Sequence, residues 1–256
     1  MTAIADILAA LTPADHGFSG TIPGDWLQGR TAYGGLSSAL ALHAAKACEP
    51  DLPPLRSALI AFVGPLAGTV SIAARKLRRG RNAAYIDVSI DSDAGLGFRA
   101  TFVFMRDMES TIRFDRTVVS TMIPPPHDAK LYRGPPDHFT GNFEFLDCAR
   151  PDDEGEWRRW GRLVERAGLD PEIALIAVAD ALPPAAYQLH RGDAAMSSLT
   201  WQLNLVVPRP TTIDGWWLMH SQTDRAVGGY SSQRMTLWAA DGTPIADAMQ
   251  GVAIFA

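Results

Sequence analysis

Cysteine is scarce in this sequence. Only Cys48 and Cys148 occur in 256 residues, which excludes a disulfide framework and a thiolate-only metal site and suits a reducing cytoplasm. Positive charge is not in surplus either: the formal net charge is -5, whereas a nucleic-acid binder needs a basic face to neutralise phosphates. No apolar stretch is long enough to span a bilayer, so no integral membrane segment is expected. The opening MTAIADILAALT, with Asp6 inside it, lacks the basic start and apolar middle of a secretory signal, and a cytoplasmic location is expected. Ile4, Ile7, Leu8 and Leu11 fall at helical spacing there, which predicts a short helix docked on its own protein. The histidines at 16, 43, 127, 138, 190 and 220 stand singly, with no second His or acid at ligand spacing on a helix, so neither a metal nor a cofactor is expected.

What is present is an ordinary globular mixture, 47% hydrophobic and 20% charged, arranged as a repeat. In the first half a helical pattern, Gly34 to Ala47, leads into the apolar run SALIAFVGP ending at Pro65. Three alternating runs follow: Thr69 to Arg78, Asn82 to Ile90 and, after the turn Asp93-Ala94-Gly95, a run ending at Met105. In the second half a helical pattern, Asp170 to Leu182, leads into SLTWQLNLVVP ending at Pro208. Again three runs follow: Asp214 to Thr223, Tyr230 to Trp238 and, after Ala240-Asp241-Gly242, a run ending at Phe255. From strand-ending proline to turn glycine is 30 residues in one half and 34 in the other. A helix with a four-strand meander leaves sheet edges unpaired, so two such units joined edge to edge make one stable body.

These patterns divide the chain into an N-terminal unit, 1–122, a Pro- and Gly-rich linker, 123–150, and a C-terminal unit, 151–256. A further helix is expected from Asp153 to Ala167. Asp152, Asp153, Glu154 and Glu156 stand at its start and Arg158, Arg159, Arg162 and Arg166 later, which complements a helix dipole.

The helix that opens on a double glycine (TAYGGLSSALA, Thr31 to Ala41), FVGP before Pro65, LRRGRN at Leu77 to Asn82 and WAADGTPIADAMQG at Trp238 to Gly251 together resemble the double-hotdog acyl-CoA thioesterases, the TesB-like group. The resemblance implies an α+β fold, a tandem double hotdog in which two central helices are wrapped by a continuous curved antiparallel sheet. It also implies hydrolysis of an acyl-CoA to free acid and CoA, without metal or covalent intermediate, with acyl-CoA as the partner; a homodimer or higher homo-oligomer stays open.

Thioester hydrolysis needs donors aimed at the carbonyl oxygen and a polar group that activates water. Gly34 and Gly35 are the candidates for the first, at a helix start where backbone N–H groups lack partners. For the second, the resemblance implies that Gln250 orients the attacking water and that Thr223 or Asp224 stands at the catalytic hydroxyl position. It also implies an aspartate opening the strand SLTWQLNLVVP, where this sequence has Ser198 or Thr200 and no acid; Asp224 or Asp193 would then substitute. The glycine pair occurs only in half one, and overlaying the repeats from their turn glycines sets Val103 against Gln250. One composite site between the halves is expected. Arg78 and Arg81, in the densest basic cluster, are candidates for the CoA phosphates.

Other readings fare less well. Gly35-Leu36-Ser37-Ser38-Ala39 is one residue short of a serine-hydrolase elbow and follows no buried strand. A hotdog hydratase or dehydratase would need an Asp–His pair, and none stands out. A non-catalytic acyl-CoA or lipid binder is favoured by the acid missing from the strand.

Overall fold

The computed structural model describes residues 1–148, 154–190 and 195–255. Helix α1 (Ile4–Ala9) buries Ile4 and Ile7 against the body. Two longer helices, α2 (Gly34–Cys48) and α3 (Pro171–Ala179), form the centre. Both are apolar on nearly every side, as a helix wrapped by sheet must be. Asp170 caps α3 by accepting from the Glu172 and Ile173 N–H groups, with Pro171 in the first turn.

Twelve strands make one sheet. Half one supplies β1 (Thr12–Ala14), β2 (Gly17–Thr21), β3 (Leu55–Phe62), β4 (Thr69–Arg79), β5 (Ala83–Ser92) and β6 (Gly95–Met105). Half two supplies β7 (Phe143–Asp147), β8 (Glu156–Leu163), β9 (Ala195–Leu205), β10 (Trp217–Val227), β11 (Tyr230–Ala239) and β12 (Pro244–Phe255). The order is β1-β2-β4-β5-β6-β3-β9-β12-β11-β10-β8-β7, so each half repeats the other's order outward from the β3–β9 seam. There the strands run antiparallel, with Ile60 opposite Trp201 and Ala58 opposite Leu203. The result is the double hotdog that the repeat and the resemblance imply.

Two expectations are corrected. Glu156–Leu163 lies in strand β8, where a helix was expected. The charges that suggested a helix dipole are matched across strands: Arg159 pairs with Asp147 at 2.7 Å and Arg162 with Glu144 at 2.8 Å, each pair directly opposite in register. Within the expected linker, Phe143–Asp147 is a strand, and Phe139 and Phe143 are core residues packed against Tyr33 and Trp26, with Phe145 stacked on Phe143. The backbone there finds its partners in the sheet edge.

Candidate active site

The two central helices run antiparallel, so the start of α2 meets the end of α3. Tyr33, just before α2, donates its hydroxyl to the Ala177 carbonyl at 2.7 Å. Close approach explains the glycine pair. A Cβ at Gly35 would lie 2.5 Å from the Ala177 carbonyl oxygen, and one at Gly34 would lie 2.6 Å from Oδ2 of Asp180 and 2.8 Å from the Phe62 ring. Asp180 follows α3, which stops before Pro183 and Pro184.

The Asp180 carboxylate accepts the Gly35 N–H. It also accepts from Nε2 of Gln250 at 3.1 Å, and the same Nε2 donates to Oγ of Ser198 at 2.8 Å. Behind Gln250 lies Gln233, whose Nε2 donates to Oε1 of Gln250 and whose Oε1 accepts the Ala185 N–H at 3.0 Å. Gln250 and Gln233 are buried, and Gly34, Asp180 and Ser198 are half-buried.

Burial pushes the Asp180 carboxyl up to about 7, against the opposing hydrogen bonds from Gln250 and Gly35. Tyr33 is raised well above its usual value, first by burial and then by the nearby Asp180 charge. A carboxyl poised near neutrality and held by neutral donors is equipped to take and release a proton.

Family models place the chain independently of this geometry. A model of the acyl-CoA thioesterase C-terminal domain matches residues 119–254, and one of the N-terminal domain matches residues 22–105. The chain belongs to the acyl-CoA thioesterase family. Among solved structures, a hot dog fold protein of unknown function from Alicyclobacillus acidocaldarius is 21% identical with a TM-score of 0.84, covering 100% of this chain and 99% of that one. The tesB protein of Mycobacterium avium subs paratuberculosis is 17% identical with a TM-score of 0.79, covering 99% of each chain. Acyl-CoA thioesterase II TesB2 from Mycobacterium marinum is 16% identical with a TM-score of 0.73, covering 99% and 97%. These likenesses show the fold. No curated protein matches the chain. Among the described residues no helix is long and apolar enough to cross a membrane.

Of the residues the thioesterase resemblance singled out, the structure brings Gln250, Ser198, Gly34 and Gly35 together around Asp180. Ser198 and Thr200 are separated by a β-bulge at Leu199, which turns Ser198 inward opposite Val252 and leaves Thr200 exposed on the outer face. Thr223 faces inward directly opposite Gln233, and among the described residues its hydroxyl has no hydrogen-bond partner. A second bulge leaves Asp224 exposed, where it pairs with Arg234 at 2.9 Å. Asp193 lies outside the described residues. Arg78 and Arg81 belong to a hairpin that meets the far end of α2, where Lys76 pairs with Glu49 and Arg79 with the Asp51 carbonyl. That places them about 20 Å along the helix from Gly34.

Sequence reasoning overlooked Asp180 and Gln233. The signal for Asp180 was present: it is the one charged residue in the apolar run Ile173 to Leu182. The repeat overlay is also corrected. Bulges fall between Leu55 and Ser57 in β3 and between Ser198 and Thr200 in β9, which makes Ala58 the counterpart of Trp201. Phe102 lies opposite Ala58 as Gln250 lies opposite Trp201, so Phe102, and not Val103, is the counterpart of Gln250. The irregularities after Ile90 and Leu237 fall at matching places and cancel; the count slips because Gly95 pairs with Ser92 and so matches Thr243, which pairs with Ala239, and not Gly242.

Proposed function

We propose that this chain hydrolyses an acyl-CoA to the free acid and CoA at one composite site between its halves, with Asp180 as general base. The observation that carries this reading is the convergence on one poised carboxylate of Gly35 from half one and Gln250 from half two, with Ser198 sharing the Gln250 donor.

Water held by the Ser198 hydroxyl, which Gln250 orients, loses a proton to Asp180 as its oxygen bonds to the thioester carbon. Gly35 is committed to Asp180. The carbonyl oxygen therefore lies against the Gly34 N–H, at the positive end of α2, where developing negative charge is stabilised. Collapse of the tetrahedral intermediate breaks the C–S bond and expels the CoA thiolate. A thiol ionises near 8.5 in its unperturbed state, so the leaving group needs no strong acid. The proton on Asp180 passes to the thiolate or to water, and the site is restored.

The binder reading rested on a missing carboxylate, and Asp180 supplies one beside the glutamine. The test is thiol release across a panel of acyl-CoAs by the wild type, Asp180→Asn and Gln250→Ala. Wild-type turnover should rise with pH through a midpoint near 7, and Asp180→Asn should lose about 10³-fold in kcat at pH 8. Full turnover by Asp180→Asn would remove Asp180 as base, and acyl-CoA binding without turnover in the wild type would restore the binder.

A further inference from the structure

The Gln250 side chain is useful only one way round. With Nε2 toward Asp180 and Ser198 it donates to both; rotated by half a turn it would present an acceptor to the Asp180 carboxylate, and of the two partners only the Ser198 hydroxyl could then turn to donate. The two ends of a primary amide have the same shape, so its hydrogen-bond partners alone decide which way it faces, and a protonated Asp180, able to donate, accepts either end. The orientation is fixed independently of that proton one strand away. Ala185 opens the short turn that follows Pro183 and Pro184, and its N–H can only donate. It donates to Oε1 of Gln233 at 3.0 Å, which leaves Nε2 of Gln233 directed at Oε1 of Gln250. The polarity is therefore passed from a fixed backbone donor through two amides to the carboxylate.

Register supports the same conclusion. Gln233 and Gln250 are directly opposite on adjacent strands, so their side chains meet without spanning a gap. Gln233 is 1% exposed, so water does not compete for its amide. Among the described residues its side chain hydrogen-bonds Ala185 and Gln250 and neither Asp180 nor Ser198, so it reaches the carboxylate through Gln250.

We infer that Gln233 is a positioning residue that fixes the orientation of the Gln250 amide, and through it the donor shared by Asp180 and Ser198. This rests on the hydrolytic reading above. A buried glutamine with a purely structural role would cost stability when replaced but would leave the proton affinity of Asp180 alone. A positioning glutamine would change it, because a rotated Gln250 withdraws its N–H from the carboxylate. Among the described residues the titratable side chain facing Asp180 is Tyr33, just before α2, itself raised well above its usual value by burial and the Asp180 charge; β9 and β12 offer the neutral Ser198 and Gln250.

The experiment compares Gln233→Met, similar in length and apolar, with Gln233→Glu, whose protonated form alone can reproduce both hydrogen bonds. For Gln233→Met, kcat should fall about 10- to 100-fold with KM little changed, and the acid limb of the kcat profile should move to higher pH. The Asp180 carboxyl, followed by carbon-13 NMR, should titrate higher in the same variant. For Gln233→Glu, turnover should pass through a maximum and fall again as the new carboxyl ionises. A folded Gln233→Met with wild-type kcat and an unmoved Asp180 titration overturns the proposal. Should Gln233→Met fail to melt cooperatively, a Gln233→Glu profile that keeps the wild-type shape overturns it instead. If Asp180→Asn abolishes turnover while both Gln233 variants behave as wild type, only this inference fails. If Asp180→Asn turns over normally, the hydrolytic reading itself fails.

Discussion

The two ends of the α2–α3 pair are built on the same lattice and carry opposite chemistry. Where α3 begins, Lys46 of α2 pairs with Asp170 and, at 2.9 Å, with Glu172, and Glu172 also accepts the Leu55 N–H at 2.9 Å. Burial works against the Lys46 charge, but its hydrogen bonds to Asp170 and Glu172 outweigh it and raise its proton affinity. Where α2 begins, the Asp180 carboxylate faces backbone and amide donors and is raised to about 7. The strands follow suit: Ser198, Gln250 and Gln233 in half two are matched in half one by Leu55, Phe102 and Ile86, each no more than 1% exposed. One end is neutralised and locked; the other keeps a carboxylate that is costly to ionise. Duplication supplied two ends, and the polar strand residues stand at one of them.

The largest effect should come from removing that cost. The folded Asp180 titrates near 7, against about 4 for an unfolded aspartate. Between these values the folded chain holds a proton that the unfolded chain has released, so this group's contribution to stability is lost as pH rises through the window. The full deficit, on the order of 2–4 kcal/mol, is present above pH 7. In urea unfolding, the stability of Asp180→Asn minus that of the wild type should therefore grow more positive by about two-thirds of this amount from pH 5 to pH 8, the rest having developed below pH 5. A difference that does not change with pH would show that the carboxyl is not strained by burial, and the contrast between the two ends would lapse.

At the locked end the expectation is reversed. Lys46→Met leaves the buried Glu172 without its cation and should cost roughly 2 kcal/mol, less than a fully buried pair because Lys46 and Asp170 are partly exposed. Its kcat should stay close to the wild-type value. A large loss of turnover in a stable Lys46→Met protein would mean that the two ends are coupled and not separate in function.

The fold was legible because its signals are periodic: helix, proline-ended strand and turn glycine recur in order, and each recurrence is a real element. Strand β8 was not, because charged residues in WRRWGRL look alike whether they flank a helix dipole or face partners on β7; only the register of Arg159 with Asp147 distinguishes them. The site was half legible. Gln250 stood out as an amide among apolar neighbours, whereas Asp180 belongs to a helix end whose approach to Gly34 and Gly35 is a tertiary fact. Gln233 gave no signal, since its role depends on which backbone donor reaches it.

The sharpest case is the pair Ser198 and Thr200. Both lie at even positions in one strand, so plain alternation puts both hydroxyls on one face. The bulge at Leu199 breaks that alternation, placing Ser198 on the Gln250 amide and Thr200 among exposed outer residues. The matching bulge at Arg56 in half one turns Leu55, not a hydroxyl, toward the helices, so the geometry is shared and only the side chain differs. Ser198→Ala should then lower kcat about tenfold, the scale of one lost hydrogen bond to a positioned water, or about 1.4 kcal/mol. Thr200→Ala should leave kcat within about twofold, as a surface change away from the reacting atoms does. Equal losses in the two variants would mean that the strand slips its bulge in solution, and that the hydroxyl at this end is not chosen by the fold.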